Sequence, residues 1–277
     1  MASKSEIYRS AAVIQSRIAE LRDVIADDLE LQRRGGVVFL HYTIGANLDP
    51  IFELLGKSGN EGLLTGTDVT YIADIGCGNG ELSFMLSHCG YKVTALDYSD
   101  RYNQSPYIVS QLANKLDLPI AIVDFSVDKP FLMDDLHNSC IFNDGVALPL
   151  QLQSFDFIIC VGLLYHLKNP FAFIQSLAQM TKYCILGTWM FTRLSPGLID
   201  VEKNSLVYLL DEQELNADPT NYWVFSDTAL SRLCRRCGFE VIDKLLVPNN
   251  EHGIGTPNRM ELGLRGFYLL RSLINAP

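Results

Sequence analysis

No uncharged apolar run in this sequence is long enough to cross a bilayer, which takes about 20 predominantly apolar residues in a row. Nor does the segment after Lys4, Glu6 and Arg9 have the apolar heart of a secretory leader, so the expected location is cytoplasmic, with no membrane partner. Basic residues are in deficit: 22 Lys and Arg against 32 Asp and Glu leave a formal net charge of -10. Nucleic acid is held mainly by Lys and Arg at its phosphates, so that charge disfavours a nucleic-acid partner and favours a small molecule. Cysteine is too sparse and too irregular for a disulfide framework. There are seven, an odd number, and several sit in apolar runs such as Phe157-Ile158-Ile159-Cys160. Cys234 and Cys237 form a lone CxxC with no second pair to complete a zinc set, and no other metal-ligand cluster stands out. Internal repeats and low-complexity tracts are lacking as well.

What is present is the composition of a globular chain. Hydrophobic residues make up 48% and charged residues 19%, enough apolar surface to build a core. Ile7, Ala11, Ile14, Ile18, Leu21 and Ile25 recur at three- and four-residue steps, which predicts a helix over 5–34 closed by Gly35-Gly36. Asp49-Pro50 opens a second, short helix, and the Gly, Ser and Thr of 56–67 read as a linker. Residues 1–64 are therefore expected to form an N-terminal helical cap or lid. Plain packing on the core, or a homodimer face, are the alternatives.

From residue 65 to 277 strands and helices alternate. Strands are expected at Val69–Asp74, Lys92–Leu96, Pro119–Val123, Phe155–Val161 and Lys182–Trp189. Helices are expected at Gly80–His88, Pro106–Leu116, a short one at Met133–His137, and one that Asn169-Pro170 opens and Met180 ends. Apolar strands alternating with helices predict a doubly wound, Rossmann-like α/β fold with a mostly parallel sheet. A mixed aromatic stretch at about 190–225 breaks the rhythm as an insertion over the binding edge. After a helix at Ser226–Cys237, strands Phe239–Leu246 and Leu264–Leu270 have no helix between them and form an antiparallel hairpin.

The strongest local signal is Tyr71-Ile72-Ala73-Asp74-Ile75-Gly76-Cys77-Gly78-Asn79-Gly80-Glu81-Leu82. A strand runs into a glycine turn that opens a helix, and glycines let a ligand approach the main chain closely. Dinucleotide sites offer amides to a pyrophosphate there, and the carboxylate of Asp74 would repel one. That acid suits a ligand with a cationic amino group, acting through the loop or a water, and it counts against a nicotinamide oxidoreductase. About twenty residues on, Asp97 ends the next strand, where a carboxylate can hold both ribose hydroxyls. Tyr98 beside it can cover the ribose or the adenine. Asp124 ends the third strand, placed to accept from an adenine amino group, with Phe125 to pack on the ring. A loop cap is the alternative role for each acid alone. Cys77 has no activating base in view and reads as a small neutral loop residue.

These residues resemble the class I methyltransferase superfamily. The glycine loop Asp74 to Gly80, the acid Asp97 and the fourth-strand run Phe155-Asp156-Phe157-Ile158-Ile159-Cys160-Val161 carry the resemblance, over roughly 65–190. It implies a seven-stranded sheet with a reversed last strand. It also implies S-adenosylmethionine as cofactor, with S-adenosylhomocysteine as product. The cofactor contacts would be Asp74, Gly76, Cys77, Gly78, Asn79, Gly80, Asp97, Tyr98, Asp124, Phe125 and Val161. A finer resemblance lies in Gly162-Leu163-Leu164-Tyr165-His166-Leu167-Lys168-Asn169-Pro170, which is similar to the corresponding segment of methyltransferases related to the tRNA wobble-uridine carboxymethyltransferases.

Methyl transfer to a hydroxyl profits from a general base, and His166 is placed for it beyond the fourth strand, with Tyr165 to orient the acceptor. His41, Tyr42, Trp189, Tyr208, Tyr222 and Trp223 are the candidates for contact with a small-molecule acceptor. The same fold acting on tRNA, by methyl or carboxymethyl transfer, and a non-catalytic cofactor- or partner-binding module are the two rival readings. The first of these needs a local basic patch against the global charge.

Overall fold

The computed structural model describes residues 2–27, 44–66, 69–99, 105–141, 146, 148–149, 151–194, 199–201, 203–215, 217–248 and 260–275. His41 and Tyr42 lie outside the described residues, as does the end of the helix expected over 5–34. The chain divides into two compact units, Met1–Ser126 with Leu132–Ile159, and Val127–Phe131 with Cys160–Pro277.

In the first unit, α1 (Lys4–Ala26) starts at a reciprocal cap. Glu6 Oε2 accepts from Ser3 N at 2.6 Å, while Ser3 Oγ accepts from Glu6 N at 3.4 Å. Its apolar stripe Ile7, Ala11, Ile14 and Ile18 is buried, as the spacing requires. Helix α2 (Ile44–Lys57) begins five residues before the expected Asp49 and carries Pro50 inside it. Burial of Leu48, Ile51, Phe52, Leu54 and Leu55 along one face outweighs the amide that proline removes. The stretch expected to be a linker contains a short helix, α3 (Gly62–Thr65). Its Leu64 is buried, and its carbonyl accepts from the Tyr91 hydroxyl at 2.5 Å.

Strands β1 (Tyr71–Ile75), β2 (Lys92–Asp97), β3 (Ile120–Asp124), β4 (Cys140–Ile141) and β5 (Phe155–Val161) alternate with helices α4 (Glu81–His88), α5 (Ser105–Leu116) and α6 (Met133–Asn138). Within the unit β1 pairs in parallel with β2 and with the β5 residues up to Ile159, and β2 pairs in parallel with β3. The two-residue β4, which has no period to read in sequence, lies antiparallel on β3. Asp156 fixes the start of β1, its Oδ2 accepting from Thr70 N at 2.9 Å and Tyr71 N at 3.0 Å. Parallel register brings the carboxyl ends of β1, β2 and β3 to one edge, with Asp97 directly opposite Asp124.

In the second unit a 3₁₀ turn (Leu164–His166) leads to α7 (Pro170–Met180), which Asn169 caps by accepting from Ala172 N at 3.2 Å. Strands β6 (Thr181–Leu194), β10 (Phe239–Pro248) and β11 (Met260–Ser272) pair antiparallel in the order β10-β11-β6, so the expected hairpin is present. Strand β6 runs five residues past the expected end at Trp189, because β11 partners it as far as Leu194. The expected insertion therefore starts later. Its described part holds β7 (Ile199–Asp200), β8 (Val207–Leu209) and β9 (Trp223–Phe225). Helix α8 (Asp227–Arg236) follows, capped by Ser226, which accepts from Ala229 N at 3.2 Å. The result is the expected mixed α/β, Rossmann-like class: parallel strands in the first unit, antiparallel strands near the C-terminus and a helical N-terminus. Among the described residues no helix is long and apolar enough to cross a membrane.

Candidate active site

The loop after β1 is built on three left-handed glycines, Gly76, Gly78 and Gly80, with φ of 76°, 55° and 82°. At Gly80 the reason is also steric, since a Cβ would stand 2.8 Å from Phe84 Cζ and 3.0 Å from Val109 Cγ2. Main-chain amides tie the loop to β2: Gly76 N and Cys77 N donate to the Leu96 carbonyl at 2.8 and 3.1 Å. Asp97 completes the tie. Its Oδ2 accepts from Gly78 N at 2.8 Å and its Oδ1 from Tyr98 N at 2.7 Å. A carboxylate offers roughly four acceptor positions, so one group can brace such a loop and still receive hydroxyls.

Asp74 lies one residue before the end of β1, is only 4% exposed, and its Oδ2 accepts from Ser83 Oγ at 2.6 Å. Burial is the main force on it, raising its pKa to about 7 from an ordinary 3.8; the charge of Asp97 pushes the same way and the Ser83 hydroxyl pulls back. Burial likewise holds the Cys77 thiol well above its usual range, with Asp97 and Asp74 adding to the effect, so this sulfur is a neutral thiol. Asp124 Oδ1 accepts from Ser99 N at 2.9 Å, which makes it a brace for the turn after β2, and Phe125 N donates to the Asp97 carbonyl at 2.9 Å.

One polar atom in the loop is unmatched. Asn79 is 7% exposed, and its Nδ2 is buried with no hydrogen-bond partner. A buried donor without an acceptor costs about 1–3 kcal/mol, which a ligand's acceptor would recover. Left-handed glycines, an orphaned amide and acids at successive strand ends fit an adenosyl group with a cationic amino-acid tail.

In the second unit Val161 ends β5, and a Cβ at Gly187 would meet its Cγ1 at 2.8 Å, so glycine is required for the two backbones to approach. Tyr165 and His166 sit in the 3₁₀ turn with ring centroids 4.3 Å apart. Tyr165 is 7% and Trp189 8% exposed; they pack with Phe191, Leu210, Leu215 and Val224, and Tyr208 leans on the same cluster. Tyr222 N donates to the Tyr165 carbonyl at 2.7 Å, and the Lys168 ammonium lies 5.8 Å from the Tyr222 ring. Trp223, in β9 opposite Leu209, buries its Nε1 without a partner. His166 Nδ1 lies 3.0 Å from Thr220 Oγ1 and 3.3 Å from the Thr220 carbonyl. Of the expected acceptor residues, Trp189 and Tyr208 thus pack in one cluster with Tyr165, and Tyr222 is tied to it through its main chain.

Several structurally important residues escape sequence reasoning. Ser83 lies three positions into α4, nine residues from the acid it bonds, and nothing local marks it. Thr220 and Asp218 stand in an Asp-Pro-Thr turn whose partner His166 is 54 residues away. Arg265 did leave a signal, as the one charge inside Leu264–Leu270. Its Nε is buried without a hydrogen-bond partner, and a Cβ on Gly162 would stand 3.7 Å from its Nη2 and 3.6 Å from Tyr165 Oη.

The chain is 27% identical over 176 residues to a tRNA U34 carboxymethyltransferase of Campylobacter jejuni, a match covering 63% of this chain and 50% of that protein. It is 22% identical over 170 residues to a ubiquinone biosynthesis O-methyltransferase of Nitrosomonas europaea, covering 60% and 62%. The chain spans about half the length of the carboxymethyltransferases it matches. A solved structure of 1,6-didemethyltoxoflavin-N1-methyltransferase from Burkholderia thailandensis, bound to 1,6-didemethyltoxoflavin and S-adenosylhomocysteine, aligns with 98% of this chain and 91% of its own, at 15% identity and a TM-score of 0.49. A family model described as a methyltransferase domain matches residues 38–244, a span that takes in the glycine loop, all three strand-end acids and the turn bearing His166, and by that match the chain belongs to the methyltransferase domain family.

Proposed function

We propose that the chain transfers a methyl group from S-adenosylmethionine to an oxygen or nitrogen of a small-molecule acceptor. The observation that carries this reading is the Asp97 carboxylate, held on the glycine loop and in register with Asp124. Asp97 would receive the ribose hydroxyls, and Gly76 to Gly80 would let the methionyl backbone approach the main chain. Asn79 Nδ2 would donate to the ligand, and the ammonium group would drive the Asp74 proton into solvent and face the resulting carboxylate. Phe125 would pack on the adenine, and Asp124 would accept from its amino group. When bound, the cofactor supplies a methyl carbon made electrophilic by its sulfonium and leaves as S-adenosylhomocysteine.

The rest of the work belongs to the protein. Holding the acceptor in line and free of water can contribute about 7–11 kcal/mol in well-oriented systems. His166 takes the acceptor's proton, a step that typically contributes ~10²–10⁴-fold, and Tyr165 orients the acceptor. The net charge of -10 supports a small acceptor over RNA.

A second reading has an observation of its own. The relatives named as tRNA U34 carboxymethyltransferases transfer a group that carries a carboxylate. Arg265, with its unmatched buried Nε, and the Tyr165 hydroxyl near it are chemistry suited to a carboxylate. In that reading the group transferred is carboxymethyl and Arg265 pairs with it. A metabolite panel incubated with methyl-labelled S-adenosylmethionine tests the first reading. A labelled product is expected, and His166→Ala should lower its rate more than it lowers cofactor affinity. Product only from a carboxylated donor, with Arg265→Met losing preference for it, would select the second. Binding without any product would leave a non-catalytic module.

A further inference from the structure

Resting on the reading of His166 as the base, we propose that Thr220 and Asp218 are positioning residues. They hold its imidazole as the Nδ1–H tautomer, so that the basic nitrogen is Nε2. Asp218 Oδ1 accepts twice from Thr220, from N at 2.9 Å and from Oγ1 at 2.6 Å. The second distance is that of a hydroxyl donating to a charged oxygen. A hydroxyl has one proton, so Thr220 Oγ1 can offer His166 only lone pairs. The Thr220 carbonyl, 3.3 Å from Nδ1, is also an acceptor. With two acceptors facing it, Nδ1 must carry the hydrogen, and a neutral imidazole then has its lone pair on Nε2.

The turn that presents Thr220 is held on several sides. Asn221 N donates to the Asp218 carbonyl at 3.1 Å, Asn221 Nδ2 donates to the Leu215 carbonyl at 2.8 Å, and Tyr222 N donates to the Tyr165 carbonyl at 2.7 Å. The last bond ties the turn to the 3₁₀ segment carrying His166. Leu215 and Ala217 enter the turn with φ of 46° and 51°, left-handed values that cost a non-glycine residue energy and persist only where the surroundings enforce them. When Nε2 takes the acceptor's proton, the ring becomes positive. The Asp218 charge then lies one hydroxyl away, in an arrangement that needs no movement to stabilise it.

The test is the tautomer itself, read on the full chain labelled with ¹⁵N by long-range ¹H–¹⁵N correlation of the imidazoles. His166 is identified among the five histidines as the pattern missing in His166→Gln. The wild type is expected to show the Nδ1–H pattern, Thr220→Ser to keep it, and Thr220→Val to move to the Nε2–H form or a mixture. A wild type with Nε2–H overturns the proposal without any variant, and so does Nδ1–H persisting unchanged in Thr220→Val. S-adenosylhomocysteine titrated into the same three proteins should bind within about twofold of wild type, the mark of a residue that acts on the base and not on the cofactor. Failure of all three to bind S-adenosylhomocysteine counts against methyl transfer, whereas the wrong tautomer counts against the Thr220–Asp218 role alone.

Discussion

Consider Asp97→Ala. The carboxylate that is lost accepts from Gly78 N at 2.8 Å and from Tyr98 N at 2.7 Å, so the glycine loop loses its side-chain brace on β2. A hydrogen bond to a charged group contributes about 1.5–3 kcal/mol. If the same carboxylate also receives two ribose hydroxyls, the ligand loses about 3–6 kcal/mol of binding, or roughly 10²–10⁴ in dissociation constant. Asp97→Asn is the sharper probe. Its carbonyl can keep the Gly78 bond, but its amide nitrogen then faces the Tyr98 N–H, a donor against a donor. Its affinity is expected between those of wild type and Asp97→Ala. The assay is calorimetric titration with S-adenosylhomocysteine on proteins matched for thermal unfolding and circular dichroism. Asp97→Ala binding within threefold of wild type, with its fold intact, would remove Asp97 from the cofactor site and refute the reasoning.

Other perturbations follow from the same structure. Asp74 holds a proton in the native state up to about pH 7 that the unfolded chain releases near 3.8. Its contribution to stability is therefore fully present below about 3.8 and is lost as pH rises through about 7. Asp74→Asn should flatten that part of the stability–pH curve in urea unfolding, and an unchanged curve would show that Asp74 titrates normally. Gly80→Ala should cost about 2–5 kcal/mol, ~1–2 for the left-handed backbone and ~1–3 for overlap with Phe84 and Val109. Gly78→Ala, with nothing within 4 Å of its Cβ, should cost the backbone part alone; equal losses on denaturation would refute the steric account of Gly80. In the second unit, Asp227 accepts from the buried Tyr268 hydroxyl at 2.5 Å and pairs with Lys244. Asp227→Ala should destabilise by about 1–3 kcal/mol, and adding Tyr268→Phe should recover part of it; no recovery would mean the hydroxyl is not the source of the loss.

The features legible in sequence share one property: the residues that make them are close together along the chain. The five apolar strands and the capped helix after Asn169 announce themselves within a few residues, and so do the glycine loop and its acids. What stayed hidden depends on partners far away. The extension of β6 to Leu194 is set by β11, some seventy residues on, and the stretch after Trp189 shows no sign of it. Helix α2 tolerates Pro50 because of the burial of its apolar face, which propensity alone argues against. Short strands such as β4 and β7 are two residues long, below any readable period. The same holds for the Ser83 bond to Asp74 and for the Asp218–Thr220–His166 chain, where a serine and a threonine become meaningful only through the acid each one meets.

The central claim is that the glycine loop and the acids at neighbouring strand ends receive an adenosyl sulfonium and not a dinucleotide. Parallel calorimetric titrations of the full chain with S-adenosylmethionine, S-adenosylhomocysteine and NAD test it most directly. Saturable binding of both adenosyl compounds at one site per chain, with no heat from NAD, is expected. Saturable binding of NAD, or no binding of either adenosyl compound, would contradict it.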